Sequence, residues 1–201
     1  MQKIEILINN YPELKDAKNS IINAYECILG SIKREGTLLL CGNGGSASDC
    51  EHWSGELLKG FVKNRSLSAN EKQNLSKGLR ESLQQGVPCI PLPSFISVQS
   101  AFSNDVLPEA AFAQLVWALG KNQDVLVGIS TSGNSQNILF AIEAAKAKGM
   151  KTIGLTGKNG GKLAESTDIV IKAPSDETYR IQEYHLPIYH TICMMLEESL
   201  F

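Results

Sequence analysis

Two groups of residues in this chain could do chemistry by their type and spacing. His52 and Glu56 stand four residues apart, so on a helix they share a face and converge on one atom. Gln182, Glu183, His185 and His190 lie in the run RIQEYHLPIYH, Arg180–His190. Imidazole, carboxylate and amide oxygen make a mixed N/O set suited to Zn²⁺ or a similar divalent cation. A carboxylate beside an imidazole also suits proton transfer near neutrality. The same His–Glu spacing serves a solvated helical pair of modest energy, and His185 fits a hydrogen-bonded histidine in a packed helix. Gln182 and His190 are eight residues apart, about 12 Å along a straight helix. To share one cation they must stretch, or Pro187 must bend the helix, or they serve different subunits.

The second group is a pair of small-residue turns. The apolar run Asp124–Ile129 opens into GISTSGNS, Gly128–Ser135, from which Asn134 is expected to start a helix. Free N–H groups at a helix N-terminus, with the positive end of its dipole, favour an anion such as phosphate. Ser130, Thr131, Ser132 and Ser135 add hydroxyl donors, and Gly133 permits close backbone approach. The segment lacks the Lys of GxxxxGK[ST], so it is not a Walker loop. A Ser/Thr-rich turn with an Asn or Ser cap uses the same residues. A second unit of the same kind weighs for the ligand. Thr37–Cys41 is a short apolar run, Gly42–Ser48 reads GNGGSAS, and a helical pattern follows to Phe61, carrying His52 and Glu56. Two strand–turn–helix units imply a ligand where several strands end. Neither turn matches GxGxxG, which weakens a dinucleotide reading.

The elements that must position these residues alternate along the chain. An amphipathic helical region covers Tyr11–Arg34, with Ile21, Ile22, Ala24, Ile28, Leu29 and Ile32 on its apolar side. Strands are expected at Thr37–Cys41, Val87–Ile90, Asp124–Ile129, Lys151–Leu155 and Asp168–Ile171. Helices are expected at Ser46–Phe61, Asn134–Lys148 (stopped by Gly149) and Glu177–Leu200. Such alternation specifies a parallel sheet with helices on both faces. Lys63–Gln85 is polar and charged, with helical character from Ala69 onward, and reads as a surface excursion. Val87–Pro93 is extended, because each proline disfavours helix at the residue before it.

The 201 residues suit one domain over residues 1–201, with a helical region at 1–36 and a polar insertion at 63–86. Apolar content of 43% and charged content of 20% belong to an ordinary soluble globule. A net charge of −2 speaks against a nucleic-acid surface. No window approaches the length of a membrane span, and the first residues lack a signal-peptide pattern. Five cysteines without CxxC spacing read as reduced core thiols of a cytoplasmic protein.

Taken together, these pieces resemble the sugar isomerase (SIS) fold, and within it the phosphoheptose isomerases. The pieces are CGNGGSASD at Cys41–Asp49, HxxxE at His52–Glu56, Asn104–Asp105, Gln123–Ser135, LTGKNGG at Leu155–Gly161, and RIQExHxxxxH at Arg180–His190. They stand in family order over about residues 37–195. The resemblance implies a three-layer αβα sandwich with a mostly parallel, flavodoxin-like sheet and long N- and C-terminal helices. It implies an aldose–ketose isomerase that converts sedoheptulose 7-phosphate to D-glycero-D-manno-heptose 7-phosphate through an enediol. It further implies a homotetramer with active sites at subunit junctions, and Zn²⁺ held by His52, Glu56, Gln182 and His190. By the same transfer Glu56 is the general base and His190 the general acid. Asn43, Gly44, Gly45, Ser46, Glu56, Asn104, Asp105, Ser130, Thr131, Ser132, Ser135 and Gln182 contact the substrate. Two features depart from the pattern: the length of Lys63–Gln85, and Tyr179 where relatives often carry Asp. The other reading is a non-catalytic SIS protein that binds the bacterial replication initiator or senses a sugar phosphate. The initiator-binding protein would lack the catalytic Glu and His that this chain has at 56 and 190. The sensor is usually fused to a helix-turn-helix, for which the residues before the first strand offer no persuasive basic recognition helix.

Overall fold

The computed structural model describes residues 2–201. Five short strands form one sheet: β1 (Leu38–Gly42), β2 (Cys89–Pro91), β3 (Val125–Ile129), β4 (Lys151–Thr156) and β5 (Ile169–Lys172). Their order is β2-β1-β3-β4-β5, and all four pairings are parallel. Strands buried on both faces read as continuous apolar runs, and β1 and β3 are buried at every residue. Pro91 sits in β2, an edge strand, where its missing N–H leaves no gap in a central ladder.

Alternate residues of the strands point to opposite layers. Leu38, Leu40, Val125, Val127 and Leu155 pack into one core with α1 (Gln2–Asn10), α2 (Lys18–Ile32), α3 (Gly45–Leu58) and α9 (Thr178–Leu200). Leu39, Cys41 and Leu126 pack into the other with α6 (Ala111–Leu119), α7 (Gln136–Ala147) and α8 (Gly161–Ser166). The result is the three-layer αβα sandwich with a flavodoxin-like strand order. The long C-terminal helix is as expected. The N-terminal region is not one helix. Pro12 opens a 3₁₀ segment, Pro12–Ala17, between α1 and α2, because proline suits a helix start and not its interior.

Other boundaries differ for physical reasons. Asn134 does not start α7. Its side chain donates to Ser132 O at 2.9 Å and accepts from Lys162 N at 3.1 Å, so it closes the turn and Ser135 takes the N-cap position. Of the Lys63–Gln85 excursion only α4 (Lys77–Ser82) is helical. With little apolar surface to bury, it is instead pinned at its neck, by a Ser66–Gln84 bridge and by Gln85 N donating to Arg65 O at 2.7 Å. The helices α5 (Ile96–Asp105), α6 and α8 were not legible in the sequence. Pro187 lies within α9, and the helix runs through it.

His185 lies on α9 with no exposed surface, its Nε2 3.4 Å from Thr156 O and its Nδ1 buried without a partner among the described residues. Burial, outweighing the Thr156 carbonyl, pushes its pKa down from 6.5 to about 4. The unfolded chain therefore binds a proton that the folded chain refuses. Stability from this source is complete above pH 6.5 and falls as the pH drops toward 4, by roughly 3 kcal/mol in all. Denaturant midpoints measured across that window are expected to decline on acidification, and His185→Gln is expected to flatten the slope.

Candidate active site

The seat is assembled where β1 and β3 end side by side. The chain leaves β1 toward β2 on one side and β3 toward β4 on the other, so a crevice opens between their carboxyl ends. A cavity of about 290 Å³ lies there, lined by Asn43, Gly44, Gly45, Ser46, Ser130, Thr131, Ser135 and Gln182 among others. The helices α3 and α7 begin at this cavity, and neither has a side-chain hydrogen bond at its N-cap. Ser135 Oγ pairs instead with Ser130 Oγ at 3.0 Å. Ser132 and Asn134 close the turn by side-chain hydrogen bonds, as the capped-turn reading has it, but no side chain caps α7 itself, and a helix end left open in this way favours an anion.

The turns themselves are constrained. Gly44 has φ +55°, and a Cβ on Gly42 would meet Ser46 O at 2.6 Å. Gly133 has φ +67°, and a Cβ there would meet Gly160 O at 2.0 Å. Asn43 and Asn137 exchange amide hydrogen bonds at 2.9 and 2.8 Å, tying the two turns to each other. Asn137 and Thr178, which also lines the cavity, went unnoticed in the sequence. Asn137's place in the first turn of the helix after GISTSGNS was the available signal.

The reactive cluster sits further along α3, where α9 crosses it. His52 Nε2 lies 3.2 Å from Glu56 Oε1 and 3.5 Å from His190 Nε2. Ligand atoms of all three residues fall within 4.8 Å of one another. Lys59 Nζ stands 3.5 Å from Glu56 Oε2, and the ring of Phe61 lies 5.3 Å from that of His190. Burial and the neighbouring His52 lower the His190 pKa, against the opposing pull of Glu56. Tyr189 Oη approaches His52 Nδ1 at 3.0 Å and Asp49 Oδ1 at 3.4 Å. Burial pushes Asp49 up to about 6, while Tyr189 and His52 oppose the rise.

A buried ion pair fixes the C-terminal end of α3 against α9. Glu197 accepts from Arg65 Nε at 2.7 Å and from the N–H groups of Phe61, Val62 and Lys63 at 2.9–3.0 Å. The Arg65 guanidinium also donates to Leu57 O at 2.7 Å and Glu56 O at 3.2 Å. Both side chains are fully buried. Burial resists ionisation of Glu197, but these donors outweigh it and hold its carboxyl below the ordinary value.

Not every expected residue is gathered at this site. Ser132 faces a neighbouring cavity with Lys158 and Asn159. Asn104 and Asp105 end α5, exposed and hydrogen-bonded to each other at 2.8 Å, and are not among the residues lining the seat. Gln182 stands two turns before His190 on the unbroken α9, with its amide against Gly45 on the seat side. Tyr179 is exposed and bonds Glu177 at 3.2 Å.

The parallel sheet with its crevice between the carboxyl ends of β1 and β3 is an α/β fold of SIS type, and residues 98–197 match the SIS domain family. Phosphoheptose isomerase of Helicobacter pylori (strain P12) is 38% identical over 184 residues, 92% of this chain and 86% of that protein. The solved phosphoheptose isomerase from Neisseria gonorrhoeae superposes with a TM-score of 0.74 at 32% identity, covering 96% of this chain and 98% of that one. The one from Francisella tularensis gives 0.77 at 30% identity, covering 96% and 94%. The chain belongs to the phosphoheptose isomerase family.

Two outcomes follow from this geometry. Gly133→Ala is expected to lower stability by roughly 1–3 kcal/mol and to weaken inorganic phosphate binding in calorimetric titration. Arg65→Met leaves the Glu197 carboxylate buried without its cation, and is expected to reduce unfolding free energy in urea by about 3 kcal/mol.

Proposed function

We propose that this chain isomerises sedoheptulose 7-phosphate to D-glycero-D-manno-heptose 7-phosphate, with Glu56 as general base and His190 as general acid. The observation that carries the reading is the meeting of Glu56, His52 and His190 within 4.8 Å. Its relatives bear the name phosphoheptose isomerase. The non-catalytic reading is not favoured, because the pair it would lack is present and convergent.

Isomerisation moves one proton between adjacent carbons and another between their oxygens. The seat holds the phosphate through the N-terminal N–H groups of α3 and α7 and the hydroxyls of Ser130, Thr131 and Ser135. Anchoring this remote group orients the open sugar chain without touching the reacting carbons. Glu56 takes the proton from C1 of the ketose, leaving an enediol, and returns it to C2. His190 passes a proton between O1 and O2; its lowered pKa keeps a neutral imidazole available at neutral pH. Phe61, against His190, covers one side of the imidazole.

The donor set of two imidazoles and a carboxylate, drawn to one point, fits a catalytic zinc site with three protein ligands. His52, Glu56 and His190 would hold the ion, and a divalent cation polarises a carbonyl and stabilises developing negative charge on oxygen. The resemblance gives Gln182 to the same ion. Its place against Gly45 supports contact with the substrate between seat and cluster. Asn104, Asp105 and Ser132 reach a substrate in this reading through assembly. The helix α5 buries none of its own residues and exposes Ile96 and Val98, and Val106 just after its other end is exposed too, which supports a homotetramer that brings α5 of one protomer to the site of another. Among the described residues no helix is long and apolar enough to cross a membrane.

Incubation with sedoheptulose 7-phosphate, with the product followed by NMR, tests the assignment. Glu56→Gln is expected to cut kcat by about 10²–10⁴ while phosphate binding and thermal stability hold. A fully active Glu56→Gln enzyme would remove Glu56 as the base.

A further inference from the structure

Tyr189 is fully buried, stacked on Trp53 with ring centroids 5.4 Å apart and planes 16° from parallel. Its hydroxyl bridges two groups: Asp49 Oδ1 at 3.4 Å and His52 Nδ1 at 3.0 Å. The other oxygen of Asp49, Oδ2, is buried with no hydrogen-bond partner among the described residues. The phenol has one proton to give. An ionised carboxylate only accepts, so that proton is directed to Asp49 and Tyr189 Oη offers His52 a lone pair. His52 must then carry its own proton on Nδ1. Nε2 is left as a bare lone pair, 3.2 Å from the Glu56 carboxylate, which also has only lone pairs to present. Two such acceptors facing each other are stabilised by a cation between them.

We propose that Tyr189 is a positioning residue that couples Asp49 to His52, fixes the Nδ1–H tautomer, and turns Nε2 toward a cation shared with Glu56 and His190. The proposal rests on reading this cluster as a divalent-cation site. The stacking on Trp53 gives the phenol one orientation, so the tautomer is set by packing before any ion arrives. Partners of this kind behind a histidine ligand raise its basicity and hold its ring in place.

Two measurements separate the coupling from the cation reading. The first is the ¹⁵N spectrum of histidine-labelled, metal-free protein in mildly alkaline buffer, where only three histidines contribute. His52 is expected as the Nδ1–H tautomer in the wild type and as a mixture in Tyr189→Phe. Wild-type His52 protonated on Nε2 would overturn the coupling, whatever the metal result. The second is Zn²⁺ titration of metal-free protein against a chromogenic chelator, with His52→Ala as the control. Tyr189→Phe is expected to bind Zn²⁺ about 10–100-fold more weakly than wild type while its metal-free form, though less stable for the lost Asp49 hydrogen bond, still unfolds in one cooperative transition above the titration temperature. Equal affinity in Tyr189→Phe and wild type would refute the positioning role. Wild-type affinity no greater than that of His52→Ala would instead refute the cation site itself.

Discussion

A carboxylate with no exposed surface, that of Glu197, holds the reactive half of this protein together. It gathers three consecutive backbone N–H groups and one guanidinium. Leaving any of these charges alone in the interior would cost several kcal/mol, so the arrangement tolerates little slack. Through Arg65 it reaches the carbonyls at the end of α3, and through its own backbone it belongs to α9. Glu56 is on the first of these helices and His190 on the second. Their meeting depends on two helices that are distant in sequence being locked in one relative position. Phe61, whose N–H is one of the donors, is thereby also set against His190.

The other half of the site depends on sheet topology. With β1 and β3 adjacent and their connections diverging, two turns rich in small residues face one crevice. Glycine appears there for stated reasons: a Cβ on Gly133 would collide with the backbone of Gly160, and one on Gly42 with the backbone of Ser46. In the proposed reading the phosphate end and the reacting end of the substrate are served by opposite ends of the same helix, α3. Its N-terminus borders the crevice, and its later turns carry His52 and Glu56. A rigid helix between the two would fix which carbons of an anchored sugar chain meet Glu56.

Two of the helices missed in the sequence lack a sustained apolar face, whereas α6 buries Ala111, Phe112, Leu115 and Val116 and was missed despite one. The apolar residues of α5 are not buried within the protomer, and α8 is only six residues long, so neither gives a sustained apolar period. The excursion after Phe61 has helical character in its sequence from Ala69 onward but little apolar surface. Propensity without a buried face is a weak force, and only Lys77–Ser82 adopts the helix.

The sequence by itself determined the local grammar: apolar runs that become parallel strands, glycine and serine turns that open helix ends, and the spacing that puts His52 and Glu56 on one face. Each of these is a property of consecutive residues, set by backbone sterics and helix period. Only the tertiary structure decided that His190 joins that pair, and that Tyr189 and Asp49 stand behind His52. It also decided that Arg65 and Glu197 clamp the two helices, and that Ser132, Asn104 and Asp105 do not line the seat of this chain. Those partners lie up to 140 residues apart in the chain. Their contacts follow from how buried helices pack across a sheet, and no short window of sequence carries that information.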